Sequence, residues 1–321
     1  MQKKIDYRFA ALWRFGLSLT VFNILGHTFF GFEQSWAQPL IALATAYTLE
    51  LLLEWIDARA NDRPVRFGGG LYNFVSFILP AHITGLAVAM LLYANDRLLP
   101  IAFAAAVAVG SKAIFRVSTP RGSQHFLNPS NFGITLTLLL FPWVGIAPPY
   151  HFTENLTGWG DWILPALIVI SGSFVNVMFT RKHPLILGWV GGFIAQAVLR
   201  TLLGGATLTA ALMPMSGLAF ILFTFYMISD PGTTPFAPKD QVFFGVAVAA
   251  VYGLLMTMHI VFGFFFGLTL VCTVRGLSSY LRSMLAVLSS HLLVGRQQRV
   301  QPLPTTKADA PIPVTMRGVE S

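Results

Sequence analysis

The sequence predicts an all-α integral membrane protein of about ten transmembrane helices with both termini on the inner side, and three observations lead there. Of the 321 residues, 55% are hydrophobic and only 11% charged, and the mean hydropathy is +0.67. Soluble chains are about a quarter charged, so too few charges remain to clothe a soluble surface of this size. The apolar residues fall in continuous runs close to the ~20 residues that a helix needs to cross hydrocarbon, whereas a membrane β-barrel needs short alternating strands. The basic residues concentrate on alternate connecting segments, which sets a direction.

Taken in order, the first run is 10–31. It follows a basic start and ends near Ser35-Trp36-Ala37, a small-x-small site of the kind that follows a signal peptide. Its length and its Asn23, Gly26 and His27 favour an uncleaved helix instead. The second run, 37–55, contains Glu50, with Glu54 one turn later at its inner, interfacial end. Runs at 70–94, 98–115, 130–149, 161–180, 184–203 and 210–229 follow. The last two, 241–258 and 260–278, are separated only around Met258-His259.

With the N-terminus inside, Arg97 and Arg200 alone among the 21 Lys and Arg residues fall outside. That bias supports both the span count and an N-in, C-in orientation, because merging two spans would put the basic tail outside. The +8 net charge then reflects topology and inner-leaflet contact rather than nucleic-acid binding. The chain divides into 1–64 (two helices and an inner loop), 65–280 (the membrane core) and 281–321. In the last part, 279–294 reads as an amphipathic helix. Residues 297–321, with four prolines and no aromatic residue, read as disordered.

Cys272, the one cysteine, lies in an apolar run. A disulfide within the chain, a thiolate zinc site and thiolate iron-sulfur ligation are thereby excluded, and packing is its expected role. No HExxH, Walker A, nucleophile elbow or dinucleotide fingerprint occurs, and no metal site is expected.

The third and eighth runs open alike but point in opposite directions. Gly68-Gly69-Gly70 leads to Pro80 and Gly85-Leu86-Ala87, and Gly204-Gly205 leads to Pro214 and Gly217-Leu218-Ala219. Five runs apart, they suggest an inverted five-plus-five repeat, in which sites form where Gly- or Pro-interrupted helices meet. Two polar stretches on the inner side are candidate sites, because irregular backbone at membrane depth survives only against protein or a cavity. In 116–133, His125, Asn128 and Asn131 would share a face if helical, and Asn128 or Ser130 would cap the next helix. In 225–239, Asp230 ends an apolar helix, where a carboxylate opposes the dipole. Lys112, Arg116 or Arg121 are its expected partners, and Glu50 is an intramembrane carboxylate expected to pair with an inner arginine. His27, His82 and His259 lie in or at the ends of runs, with no expectation that they bind haem.

Two of these segments resemble one family. His125-Phe126-Leu127-Asn128-Pro129 before an apolar run, and Phe225-Tyr226-Met227-Ile228-Ser229-Asp230-Pro231-Gly232-Thr233-Thr234, are similar to the Asn-Pro and Asp-Pro motifs of the NqrB/RnfD family. Its members are the membrane subunits of the Na+-translocating NADH:quinone reductase and the Rnf electron-transport complex. Asn-Pro-Ser-Asn-Phe-Gly and Gly145-Ile146-Ala147-Pro148-Pro149-Tyr150 also resemble its stand-alone UnbU-like branch, associated with enediyne biosynthesis. The resemblance covers roughly 65–280. It implies a multi-pass protein of a prokaryotic plasma membrane, with an inverted-repeat fold akin to urea channels. It also implies a noncovalent FMN or riboflavin, or a quinone, at His125, Asn128, Asn131, Asp230, Thr233 and Thr234.

The family's covalent FMN is attached through Asp-Gly-x-Ser-x-Ala-Thr after the fifth helix, and that motif is missing here. Gly204-Gly205-Ala206-Thr207 mimics its end two helices later, with Thr201 where the Asp belongs, so covalent FMN on Thr207 is not expected. Three functions remain open: a redox subunit served by a protein redox partner, a transporter or channel on the same fold, and a membrane scaffold for a biosynthetic partner.

Overall fold

The computed structural model describes residues 7–119, 122–148 and 154–298, apart from the side chains of 7–9, 11, 119 and 286–298. Lys3, Lys4, Arg121, Pro149, Tyr150 and the tail from 299, where disorder is expected, lie outside the described residues. The first of two compact units, residues 1–279, contains the helices that matter for function; the second is residues 280–321. Helix α1 (Tyr7–Leu25) runs into a π turn, Gly26–Phe30. It is followed by α2 (Ala37–Ala60), α3 (Leu71–Leu91), α4 (Leu99–Ile114), α5 (Pro129–Leu140), α6 (Gly160–Met178) and α7 (His183–Leu202). The eighth segment is broken into α8 (Leu208–Leu212), a 3-10 turn, α9 (Leu218–Leu222) and a second π turn, Phe223–Met227. Helices α10 (Pro238–Thr257) and α11 (Gly263–Gln298) complete the series.

Among the described residues, six helices are long and apolar enough to cross a membrane: α2, α3, α6, α7, α10 and the Gly263–Leu285 part of α11. The count reaches seven if the bent pair that forms the eighth segment is one span. Every expected run contains a helix, but two are shorter than expected. Helix α4 has 16 residues and α5 only 12. At ~1.5 Å per residue neither matches ~30 Å of hydrocarbon. In α5 the cause is local: Pro142 follows, and the chain then enters a two-residue strand instead of continuing to 149. Helices α10 and α11 are separate, because His259 and Phe262 take left-handed backbone angles in the turn between them. Helix α11 continues without a break through the stretch expected to form its own amphipathic helix.

Hydrogen bonds between connections define two ends. At one end, β2 (Arg116–Thr119) and β3 (Gly122–His125) form an antiparallel hairpin between α4 and α5. At the far end, β1 (Leu92–Tyr93) pairs with β4 (Gly145–Ile146). There Gln34 Nε2 donates to Leu92 O (2.6 Å) and Gln38 Nε2 to Asn95 O (2.6 Å), which ties the α1–α2 connection to the end of α3. Exposed Trp36, Trp143, Trp159 and Trp162 gather at that far end, as aromatic residues do at a membrane interface.

Helix α1 packs on α3, α2 on α3 and α4, and α4 on α5; α6 packs on α7 and the broken span, and α7 on α10. The two halves pack by different means. In the first, small residues let backbones meet: a Cβ on Gly133 would lie 2.3 Å from Ala104 O, and one on Gly85 3.2 Å from Ala42 O. Helix α3 runs unbroken through Pro80 and Gly85, and Gly85 is a contact point. In the second half the interior is aromatic, with Trp189, Phe193, Phe220, Phe223, Tyr252 and Phe264 ring to ring at 4.9–6.3 Å. Offset and edge-on contacts of this kind stabilise beyond area burial, and they absorb part of the chain's excess of Phe.

Around that cluster α7 and α10 touch backbone to backbone. A Cβ on Gly188 would come within 2.5 Å of Val242 O, and one on Gly245 within 2.4 Å of Leu185 O. Close approach through small residues is a main source of helix association in lipid. Gly245→Val should therefore force α7 and α10 apart and destabilise the protein by about 1–3 kcal/mol or more, read as a lower melting temperature in detergent.

Candidate functional site

The site begins with the broken span. After α8 and its 3-10 turn the backbone is extended at Gly217, and the axis turns by 66° before α9. The π turn that ends the segment closes with Ile228 N on Phe223 O at 2.8 Å. Such irregular backbone leaves carbonyls without intrahelical donors, and side chains from other helices supply them. Phe225 O accepts from Asn176 Nδ2 of α6 (2.8 Å) and from Ser229 Oγ (2.6 Å). Met227 O accepts from Asn128 Nδ2 (3.0 Å). Trp189 Nε1 of α7 donates to Thr224 Oγ1 at 2.9 Å.

The connection that follows is held the same way. Asp230 Oδ1 accepts from Gly232 N (3.1 Å) and Oδ2 from the Thr233 hydroxyl (3.0 Å), while the Thr234 hydroxyl donates to Asp230 O (2.5 Å). Arg275 of α11 donates to Thr233 O, and Lys182, in the α6–α7 turn, donates to Pro235 O at 2.7 Å. The ammonium also lies 5.2 Å from the centre of the Phe236 ring. Lys182 is only 2% exposed. That burial pulls its pKa down from 10.5 to about 8, with Asp230 acting in the opposite direction.

These elements enclose a cavity of about 770 Å³, within the range of ligand pockets. One wall is α1 and α3, with Leu12, Phe15, Ile83 and Ala87; the other is α6 and the broken span, with Phe179, Leu222, Phe225 and Tyr226. The Phe15 and Tyr226 rings stack across the seam, 4.9 Å apart and 4° from parallel, and Tyr226 OH bonds Ser171 at 2.9 Å. Polar groups collect toward the hairpin end, among them Glu50, Lys112, His125, Ser130, Asn176 and Asp230. The cavity is amphiphilic: an aromatic and aliphatic interior with hydrogen-bonding groups at one end.

The residues singled out in the sequence do not all come together. His125 ends β3 and lines the cavity, its Nε2 3.3 Å from where a Cβ on Gly232 would stand. Asn128 also lines it. Its Oδ1 accepts from Asn131 N (3.0 Å) and from the Ser130 hydroxyl (3.0 Å), so it caps α5 while its amide holds Met227. Asn131 points elsewhere: its Nδ2 donates to Phe265 O (2.9 Å) and Thr269 Oγ1 (2.8 Å) of α11. The shared helical face expected for these three residues does not form, because one is in a strand, one is a cap and one is inside a helix. Thr233 and Thr234 are buried and serve the Asp230 turn rather than the cavity wall. Thr207 caps α8, exposed and outside the cavity.

The charges also differ from expectation. Glu50 lines the cavity but pairs with Lys112 (2.5 Å), not with an arginine. Asp230 finds its partners in a backbone amide and a hydroxyl, while Lys112 is engaged by Glu50, Arg116 donates to Ser123, and Arg121 lies outside the described residues. Glu54, at the inner end of α2, is 6% exposed, with Arg63 at 2.6 Å and Arg66 N at 2.8 Å on its carboxylate. His82 is held by Tyr47 OH (2.6 Å) and Thr20 Oγ1 (2.7 Å). Among the described residues no three His, Cys, Asp or Glu side chains gather as a metal site. Cys272 is buried.

Sequence reasoning missed Asn176, Lys182 and Arg275. A lone amide inside the 161–180 run was the available sign of the first. The other two look, in sequence, like ordinary inner-side basic residues. Scanned against models of known protein families, the chain matches none, and no curated protein matches it.

Because Lys182 binds its proton more weakly when buried than at its ordinary pKa of 10.5, the unfolded chain holds more protons between about pH 8 and 10.5. Stability should rise with pH through that window, by up to ~3 kcal/mol. Thermal melts of wild type and Lys182→Met from pH 7 to 10.5 check this: the rise belongs to the wild type and is missing from the variant.

Proposed function

We propose that this chain is a multi-pass protein of a prokaryotic plasma membrane that holds a planar amphiphilic redox carrier in the cavity and works in electron transport with a protein partner. The carrier is a noncovalent FMN or riboflavin, or a quinone. Ten spans with both termini inside, in two inverted halves, complete the reading. The repeated packing of first on third, and of second on fourth, helix within each half supports the inverted halves. So does the placement of the cavity at their seam, where inverted-repeat proteins build sites. The hairpin end is then the inner side: within the first unit the described basic residues, apart from Arg97 and Arg200, lie toward that end, in keeping with the positive-inside rule.

The observation that carries the redox reading is the cavity wall. Phe15, Phe179, Phe225 and Tyr226 line the cavity with aromatic surface suited to a flat ring system, and His125 and Asp230 stand at the polar end. The residues present fit such a group in size and chemistry. A flavin or quinone would supply reversible acceptance of electrons together with protons, which no side chain here provides. The chain's own part is to bind and to exclude: aromatic walls orient the ring and keep water from it. The Glu50–Lys112 pair places one carboxylate and one ammonium at the polar end. The resemblance of the Asn-Pro and Asp-Pro segments to the NqrB/RnfD family supports the same reading. Covalent attachment at Thr207 forms no part of it, because that hydroxyl lies outside the cavity.

The visible absorbance spectrum of detergent-purified protein, with quinone extraction alongside, tests this. A bound flavin or an extractable quinone is expected, and protein free of both overturns the proposal. Phe15→Ala should weaken retention of the carrier roughly 2–10-fold, the worth of one aromatic contact.

A further inference from the structure

The cavity reaches the last turn of α3, at Met90 and Leu91. Beyond Met90, which belongs to its wall, lies a void of only about 10 Å³ ringed by Phe22, Phe30, Phe32, Leu164, Ile168 and Leu218. A space of that size with no polar partner stays dry. The two spaces lie in line along α1, where Leu19 faces the cavity and Phe22, one turn on, faces the void. A short apolar plug therefore separates the cavity from the far side.

Three features make this plug a gate rather than ordinary core. First, it is hung on irregular backbone. The Phe32 ring packs on Gly26, where a Cβ would come within 2.4 Å of it. Gly26 opens one π turn, Gly31 then turns the chain with φ +83°, and the second π turn forms part of the cavity wall. Such turns concentrate at functional positions.

Second, the plug is flanked by unpaired polar atoms. Asn23 Oδ1 on α1 and His27 Nε2 on the π turn that follows are buried without partners. Asn23 is 4% exposed and its amide reaches Met90 Sδ at 3.5 Å; the His27 ring packs on Phe32 and Trp36. Buried polar atoms left unpaired raise the free energy of the closed form, and water admitted at the plug would satisfy both. Third, the plug joins elements of both halves, and Leu218 sits directly after the 66° bend at Gly217.

We propose that cavity and plug are one gated path through the bilayer, closed here at Phe22, Phe30 and Phe32, along which the chain passes an amphiphile with a flat apolar body and a hydrogen-bonding end. Opening wets the plug, as apolar constrictions in channels do. The gate stands whether or not the cavity holds a flavin or quinone.

Side-specific labelling tests it. In a Cys272→Ala background, Ala87→Cys places a thiol on the cavity wall, and a charged, membrane-impermeant maleimide is applied to sealed vesicles of either orientation. The expected result is labelling from both sides, slow from the far side and at least tenfold faster there when Phe32→Ala is added. A thiol never reached from the far side with the plug intact, whatever Phe32→Ala does, overturns the gate. So does a far-side rate that Phe32→Ala leaves unchanged. A buried Val248→Cys control must stay unlabelled; if it reacts in the Phe32→Ala protein, that variant has loosened, and Phe30→Ala replaces it with the same two readings. Absence of bound flavin in the purified protein would leave these outcomes untouched.

Discussion

A helix that breaks inside a bilayer exposes carbonyls that no water can reach, and each needs a donor from elsewhere in the protein. The break at Gly217 and the π turn at Phe223–Met227 create that demand here. Asn176 and Asn128 meet it directly at Phe225 O and Met227 O, and Lys182 and Arg275 do the same for the connection that follows. Buried amides and cations are costly in apolar surroundings unless fully engaged. Donors and carbonyls therefore hold each other in place, and the position of the broken span follows from them.

The cavity follows in turn. Because the broken span is bonded through side chains to α6 on one side and the start of α5 on the other, its π turn can stand off from α1 and α3. The Phe15–Tyr226 stack bridges the seam without filling it. Elsewhere among the described residues helices meet closely. Glycines bring α7 against α10 and α5 against α4 until backbones touch, and the aromatic cluster around Trp189 fills the second half. One loose seam in a tightly packed bundle is where a ligand fits, and the two π turns line that seam and its plug.

The helical, apolar frame was legible in the sequence, because run length is a direct consequence of lipid as a solvent. Each expected run contains a helix, and Asn128 and Asp230 were recognisable because Pro follows each in an otherwise apolar context. What the sequence concealed was partnership. Asn131 sits three residues from Asn128 yet serves α11, since a cap and a helix interior face different ways. Glu50 took Lys112 rather than an arginine, and Glu54 drew in the loop that carries Arg63. Lys182 looked like part of an inner basic cluster because hydropathy scales count a cation the same way whether it meets water or a buried carbonyl. Gly85 and Gly217 occupy matching words in the two halves but do different work, one as a helix contact and one as a break. That choice depends on which neighbour comes close, and no local pattern carries it.

Hydrogen–deuterium exchange across 223–236, compared between wild type and Asn176→Leu, tests most directly whether donated side chains hold the broken span. Backbone amides in this segment should exchange slowly in the wild type, like those of a packed helix, and much faster once Phe225 O has lost its α6 donor. Fast exchange in the wild type, or no change in the variant, would contradict the account.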